Sequence, residues 1–310
     1  TQENVAMAFN KNILSDLLRE DIGFNGVICS DWGIITGRHW GVNDLSIIER
    51  YEKSIHAGID QFGGETDTSH LIRLVNENRV LESRIDDSVR RILINKFDLG
   101  LFDNPYVDEN NVKQKVNTLK NINAGLDAQR KSLVLLENNG ILPLKKETKI
   151  YIDGLDKNIG KDFGNVVNDP SKADVIIMYI HTVFNGNQES GLNRIFDNFL
   201  STFFPNGDLE FNEEIKNKIK KYSKHKELIV VVDLNRPAIL ETIKESSSGV
   251  IATFGVLDQI IFEGIYGKFN PSGKLPFEIP SSMEAVYNQK EDLPDDSLNP
   301  TYEFGYGISY

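Results

Sequence analysis

The sequence predicts an α/β protein with two successive domains. In the first third of the chain, helix and strand patterns alternate, which is typical of a parallel sheet with helices on its faces. From Lys149 onward, several short runs rich in Val and Ile are continuously apolar, as in a sheet that is covered on both faces. A length of 310 residues is sufficient for two hydrophobic cores.

The first third contains about two and a half βα units. Helices are predicted where apolar residues recur at helical spacing, and strands where short apolar runs end in turn residues. The predicted elements are a helix at 10–20, a strand at 27–29, a helix at 47–56, a strand within 58–64, and helices at 69–76 and 83–100. The polar segment 103–114, which contains Pro105, predicts a linker on the surface.

The remainder of the chain predicts the second sheet. A helix is expected at 122–134, followed by a strand or loop with a tight turn at Asn139-Gly140. Strands are predicted at 149–152, 175–180, 228–233, 249–253 and 274–277, and helices at 213–222, 237–244 and 257–266. The polar tail from residue 280 to residue 310 is expected to pack in an extended form on the surface.

Composition excludes several classes of function. The net charge of −12 leaves no basic stripe for nucleic acid, and the longest apolar runs are of strand length, which predicts no membrane span. A single cysteine, Cys29, excludes an internal disulfide and a thiolate metal cluster. The five histidines are scattered, and no phosphate-binding or dinucleotide-binding loop is present, so we expect neither a metal nor a cofactor. Once these classes are excluded, catalysis by carboxylate side chains remains.

The segment from Gly23 to Gly33 is the most informative in the chain. A glycine turn leads into a short apolar run that ends on Asp31 and Trp32. At the carboxyl end of a buried parallel strand, Asp31 would be placed where α/β proteins carry out chemistry. From these residues alone, the alternative that Asp31 caps the next helix and Trp32 is a core residue is the simpler interpretation.

The segment 17–33 resembles the nucleophile segment of glycoside hydrolase family 3, the β-glucosidase-type enzymes. Further segments resemble the family in the same order along the chain, at 57–60, 84–93, 97–102, 132–144, 271–276 and 304–310. Each segment is weak alone, but together they cover nearly the whole chain.

The resemblance implies a (β/α)8-type barrel followed by a doubly wound α/β sandwich domain. The chain would then hold only the terminal βα units of the barrel at 1–115, a linker at 116–148 and the sandwich domain at 149–310. An open barrel exposes strand edges and apolar faces. We therefore expect the N-terminal barrel portion either as a separate chain or as a missing segment of a longer protein. The resemblance leaves open whether the chain also forms a homo-oligomer.

The implied activity is that of a retaining, exo-acting β-glycoside hydrolase with a carbohydrate substrate. Asp31 matches the family's nucleophile, and Trp32 would stack on the sugar. The acid/base is expected in the loop 181–211, where Glu189 ranks first and Glu210 second. The alternative for Glu210 is a charge at the start of a helix. Asp60 is interpreted as structural or peripheral, and Arg84 and Arg91 as part of a solvated helix face.

Two other functions stay open. The alternative to an enzyme is a non-catalytic carbohydrate-binding or assembly fragment that lacks most of the barrel. Activity on N-acetylglucosaminides is disfavoured, because such family members commonly carry a His-Asp pair in the barrel and often lack the second domain.

Overall fold

The computed structural model describes residues 4–37, 39–182, 207–290 and 292–310. The chain divides into two compact units, Thr1–Asn110 and Asn111–Tyr310. Both units combine helices with parallel strand pairing, so the fold class is α/β, as predicted. In the described ranges, no helix has both the length and the apolar character needed to cross a membrane.

The first unit is mainly helical. Its helices are a short 3₁₀ turn at Met7–Phe9, a π-type helix at Asn12–Asp21, α1 at Ile47–Ala57, α2 at Ser69–Asn76 and α3 at Glu82–Asp98, followed by a 3₁₀ turn at Glu109–Asn111. Helix α1 begins where Ser46 and Glu49 form a reciprocal capping box. It ends at Gly58, whose φ of 118° suits glycine. This turn leads the chain directly into the segment that contains Asp60.

The two strands predicted in this unit are shorter than expected. They form one parallel pairing, in which Cys29 lies opposite Gln61. The Ser30 N–H donates to the Gln61 carbonyl at 2.9 Å, and the Asp60 N–H donates to the Ile28 carbonyl at 2.9 Å. Glycine turns on both sides limit the length of this ladder. The pairing nevertheless places residues 31 and 63 at the same end of the two segments.

The core of the first unit lies between these paired segments and the helices. Its largest fully buried side chains are Phe9, Ile35, Tyr51 and Leu74. The Tyr51 ring meets the edge of Phe62 at 4.9 Å between centroids, and its burial raises the pKa of the phenol to about 12. The segment 59–62 is thus anchored to α1 by packing.

The second unit is a six-stranded sheet in the order β1-β6-β5-β4-β2-β3. The strands are β1 at Val134–Asn138, β2 at Lys149–Asp153, β3 at Asn165–Val166, β4 at Val175–His181, β5 at Glu227–Asp233 and β6 at Gly249–Thr253. Strand β1 is antiparallel to β6, and the other pairs are parallel. Strand β1 lies within the segment 116–148 that was predicted as a linker, so the structure places part of that segment in the sheet.

Helices cover both faces of this sheet. The described helices of this unit are α4 at Val112–Lys115, α5 at Leu119–Ser132, α6 at Lys157–Phe163, α7 at Glu213–Ser223, α8 at Glu241–Ser246, α9 at Asp258–Ile265 and α10 at Met283–Asn288. Along β4, Ile176 and Met178 pack in one apolar core with α7, whereas Val175 and Ile177 pack in the other core with α9. The prediction of a sheet covered on both faces is correct.

The C-terminal tail differs from the prediction. Residues 274–277 do not form a strand of the sheet, because Leu275 pairs with the tail itself: its N–H donates to the Tyr306 carbonyl at 2.9 Å. The Ile308 N–H donates to the Leu135 carbonyl at 2.8 Å, so the tail covers the outer edge of β1. Tyr302 is buried, and its hydroxyl donates to Glu137 at 3.0 Å. The tail therefore belongs to the core rather than to the surface alone.

Candidate active site

Asp31 follows the paired segments and begins a turn. Its Oδ1 accepts a hydrogen bond from the Trp32 N–H at 2.7 Å, and the Gly37 N–H closes the turn on the Gly33 carbonyl at 2.9 Å. The Asp31 carboxylate is exposed to solvent. The Trp32 N–H thus holds one oxygen of the Asp31 carboxylate at the carboxyl end of the pairing, the position that the sequence predicts.

Asp31 lines a cleft of about 380 Å³ in the first unit. Ala6, Ile34, Trp40 and Ile59 contribute apolar walls, and Ser30, Cys29 and Asp31 contribute polar atoms. Burial raises the pKa of the Cys29 thiol, which disfavours the reactive thiolate. The carboxylate is therefore the better placed nucleophile among these polar side chains.

Trp32 is not a core residue, because 65% of its surface is exposed. Its indole lies against the backbone of Gly63 and Gly64, and the Gly33 N–H donates to the Gly63 carbonyl at 3.0 Å. A Cβ atom at Gly63 would lie 2.2 Å from Trp32 Cε3 and 2.5 Å from the Ser30 carbonyl oxygen. Glycine at position 63 thus leaves the space that the indole occupies.

We expect the substitution Gly63→Ala to displace the indole and to lower kcat/KM by about tenfold or more, since both contacts are shorter than van der Waals distances. Thermal unfolding should register a destabilisation of about 1–3 kcal/mol. Gly125→Ala is the matched control, because no atom lies within 4 Å of a Cβ built there in helix α5. That control should leave kcat/KM unchanged and stabilise the helix by about 0.5–1 kcal/mol. Equal kinetics for both variants would contradict the packing role of Gly63.

Asp60 is the centre of a buried ion network next to the Asp31 segment. Its side chain is fully buried. Oδ2 accepts from Arg19 at 2.5 Å and from the Ile28 N–H at 3.0 Å, and Oδ1 accepts from Ser88 at 2.7 Å and from Arg91 at 2.8 Å. Burial favours the neutral acid, but the hydrogen bonds from Ser88 and Ile28, together with the arginines, outweigh burial and hold the pKa of Asp60 below its ordinary value.

The prediction for two arginines of α3 is wrong. Arg84 and Arg91 were expected on a solvated helix face, but Arg91 binds Asp60 directly. Arg84 donates to Ser88 Oγ at 2.5 Å and to the Ile59 carbonyl at 2.9 Å. The spacing of Arg84, Ser88 and Arg91 places them on one face of a helix, which is the signal in the sequence that could have indicated a shared partner.

The first-ranked acid/base, Glu189, lies outside the described residues. The second-ranked residue, Glu210, is exposed and pairs with Lys216 at 2.9 Å. Its hydrogen bond raises the pKa of the Lys216 ammonium group. Asn212 then caps α7 through a hydrogen bond from the Ile215 N–H at 3.0 Å. This arrangement is that of a charge at the start of a helix, the other interpretation that was kept for Glu210.

A polar cluster that sequence reasoning missed lies at the carboxyl ends of β4, β5 and β6. The buried Asp233 accepts from the Gly255 N–H at 2.7 Å and from Thr253 Oγ1 at 3.1 Å. His181 Nδ1 lies 3.3 Å from Asp233 Oδ2. Asp233 therefore fixes the end of β4, from which the segment with Glu189 continues. Across the described ranges of the chain, no cluster of three or more His, Cys, Asp or Glu side chains is arranged to hold a metal ion.

Residues 2–94 match the glycosyl hydrolase family 3 N terminal domain, and residues 151–310 match the glycosyl hydrolase family 3 C-terminal domain. The chain belongs to glycoside hydrolase family 3. The match to the N terminal domain includes Asp31, Trp32 and Asp60. The match to the C-terminal domain includes the sheet from β2 onward.

Named relatives of this family 3 chain extend over almost all of it. It is 39% identical to the "Probable beta-glucosidase C" of Aspergillus flavus over 326 residues, which cover 99% of the chain and 50% of that protein. It is 37% identical to the "Periplasmic beta-glucosidase/beta-xylosidase" of Dickeya chrysanthemi, covering 99% of the chain and 49% of that protein. The family 3 chain thus spans about half the length of these relatives.

Solved structures share the fold of this family 3 chain. The crystal structure of a beta-glucosidase from Listeria innocua in complex with isofagomine matches with a TM-score of 0.76 at 23% identity, covering 98% of the chain and 50% of that protein. A beta-glucosidase 3B from Thermotoga neapolitana, solved in complex with glycerol, matches with a TM-score of 0.71 at 18% identity. At these identities the likeness concerns the fold.

Proposed function

We propose that the protein is a retaining, exo-acting β-glycoside hydrolase of the β-glucosidase type that removes terminal β-linked sugars. The observation that carries the proposal is Asp31, a solvent-accessible carboxylate on the edge of a cleft in a family 3 chain. Relatives named as beta-glucosidases, at 37–39% identity, support the substrate class.

In the proposed mechanism Asp31 acts as the nucleophile. One of its carboxylate oxygens forms a bond to the anomeric carbon, and the bond from that carbon to the leaving oxygen breaks. A second carboxylic acid protonates the leaving oxygen, and we assign this role to Glu189. The same residue then takes a proton from water, which attacks the anomeric carbon and releases Asp31.

Trp32 is proposed to bind the sugar ring. Its exposed indole is held against Gly63 and Gly64, so its stacking face is fixed before a ligand arrives. Such pre-organisation lowers the entropy that binding has to overcome. The residue thus acts on binding, whereas Asp31 acts on the chemical step.

The complete barrel is proposed to require a further portion, supplied either by a separate chain or by a preceding segment. Two observations support this requirement. The chain spans about half of its relatives, and helix α3 exposes Val89, Leu93 and Phe97 to solvent. The proposed domains are the end of the barrel at 1–115, the linker at 116–148, whose strand β1 joins the sheet of the sandwich, and the sandwich at 149–310.

The half-length of the chain also favours a second candidate, a non-catalytic carbohydrate-binding or assembly fragment. Assays of the 310-residue chain, alone and with a candidate N-terminal portion, separate the two functions. Hydrolysis by either preparation supports the enzyme, whereas binding of a β-glucoside without turnover in both supports the fragment.

Proton NMR of the first-formed product tests the proposed mechanism. A protein expressed from its complete reading frame and given an aryl β-glucoside should release β-glucose first, because two displacements at the anomeric carbon restore its configuration. Mutarotation to the α-anomer should follow later. Release of α-glucose as the first product would contradict a covalent intermediate on Asp31.

A further inference from the structure

Asp60 holds the same residue of the Asp31 segment from two sides. Its backbone N–H donates to the Ile28 carbonyl at 2.9 Å, and its side-chain Oδ2 accepts from the Ile28 N–H at 3.0 Å. Both polar backbone groups of Ile28 are therefore bonded to residue 60. Asp31 lies three positions further along the same segment.

This double contact fixes the register of the pairing. Side chains alternate between the two faces of a strand, so a slip of one residue would move Asp31 from the face on which it lies to the other face. The parallel pairing is short, with Cys29 opposite Gln61, and backbone bonds alone provide few constraints against such a slip. The side chain of Asp60 adds a constraint that a backbone ladder of this length lacks.

The Asp60 carboxylate is itself held by side chains from two helices. Arg19 comes from the π-type helix Asn12–Asp21, and Ser88 and Arg91 come from α3. Arg19 also donates to the Gly26 carbonyl at 3.1 Å, in the turn that precedes the Asp31 segment. One buried side chain, that of Asp60, thus connects the Asp31 segment to two helices.

We infer that Asp60 is the positioning residue of the nucleophile: its contacts set the register of the segment 28–31 and thereby place Asp31 at the cleft. The inference rests on the proposed function of Asp31. It also gives Asp60 a specific role, whereas the sequence analysis interpreted Asp60 only as structural or peripheral. Asp60 does not touch substrate in this role. It acts through the backbone of Ile28.

The test uses Asp60→Asn in the protein expressed from its complete reading frame. Asparagine preserves the size of the side chain but offers one acceptor oxygen, so either Ile28 or Arg91 loses its partner. We expect kcat per folded molecule to fall by about 100-fold, because misplacement of a reacting group by about 1 Å has this effect, while KM changes by less than about threefold.

Hydrogen exchange of the Ile28 amide provides a second readout that does not depend on activity. Ile28 is buried, and its N–H donates to Asp60 Oδ2 at 3.0 Å. The exchange rate of this amide should rise by about tenfold or more in Asp60→Asn at temperatures far below unfolding, since the segment opens more often when the Asp60 carboxylate no longer holds it. A role in global stability alone would lower the unfolding temperature without singling out this amide.

Glu263→Gln is the matched control. Glu263 is a largely buried carboxylate that accepts from Arg130 at 2.7 Å in the second unit. Its substitution should lower the unfolding temperature but change kcat and the exchange rate of the Ile28 amide by less than about twofold. If Asp60→Asn does not fold, Ser88→Ala replaces it. That variant removes one donor to Asp60 and should lower kcat and raise the exchange rate of the Ile28 amide by about three- to tenfold each.

Only a combined fall in kcat and rise in the exchange rate of the Ile28 amide supports the inference. A change in one quantity without the other, or in neither, overturns it. If the unsubstituted protein hydrolyses no β-glycoside, the proposed function fails separately. The exchange rate of the Ile28 amide then still decides whether Asp60 holds the segment.

Discussion

Replacement of Asp31 by asparagine should abolish turnover of aryl β-glucosides while the fold stays intact. The amide is nearly the same size as the carboxylate, but its oxygen is a poor nucleophile toward the anomeric carbon. We expect kcat to fall by about 10⁴-fold or more, as when other covalent nucleophiles are removed, which corresponds to about 5.5 kcal/mol of transition-state stabilisation. The measurement is steady-state kinetics with a nitrophenyl β-glucoside.

Asp16→Asn is the control for this experiment. Asp16 is also in the first unit, but its partly exposed carboxylate pairs with Lys11 at 3.1 Å. Exposed pairs of this kind contribute about 0–1 kcal/mol to stability, so kcat and the unfolding temperature should stay nearly unchanged. Near-normal hydrolysis by the Asp31 variant would remove the assignment of the nucleophile.

The second large effect is expected from Glu189→Ala. If Glu189 protonates the leaving oxygen, its loss should lower kcat by about 10²–10⁴-fold for substrates with poor leaving groups. Activated dinitrophenyl glycosides need little protonation, so kcat/KM, which reports formation of the glycosyl-enzyme, should fall far less for them, although hydrolysis of the glycosyl-enzyme still lacks its general base. Azide should restore turnover of these activated substrates and yield a β-glycosyl azide, because a small anion then occupies the space of the missing carboxylate.

Glu210→Ala is the comparison that separates the two candidates for the acid/base. Its loss breaks the ion pair with Lys216, which is partly exposed, and should cost less than about 1 kcal/mol of stability. The kinetics should not depend on the leaving group. Azide rescue of the Glu210 variant, rather than of the Glu189 variant, would reverse the assignment.

The elements that could be predicted from the sequence are those with strong local signals. Helix α2 at Ser69–Asn76 was predicted with the same ends, and β6 at Gly249–Thr253 likewise. Both have a clear apolar pattern bounded by turn residues. The coverage of both sheet faces also followed from continuous runs of Val and Ile, because a strand with one solvated face would alternate.

What the sequence did not reveal depends on contacts between distant residues. Residues 274–277 have the composition of a strand, but their hydrogen-bond partner is the tail, about thirty residues further on. The ion network of Asp60 joins residues 19, 28, 88 and 91, and no local pattern shows which carboxylate a helix arginine will bind. The candidate site shows the same difference between local and long-range signals. Asp31 lies in a local motif that the sequence reveals, whereas the positioning role of Asp60 follows only from its contacts in the fold.

Covalent trapping tests the central claim most directly. A 2-deoxy-2-fluoro β-glucoside with a good leaving group slows both displacements and lets the glycosyl-enzyme accumulate. After proteolysis, mass spectrometry should find the fluoroglucosyl group on the peptide that contains Cys29, Ser30, Asp31 and Trp32, with the sugar attached to Asp31. A label on another carboxylate, with this peptide unmodified, would contradict the account.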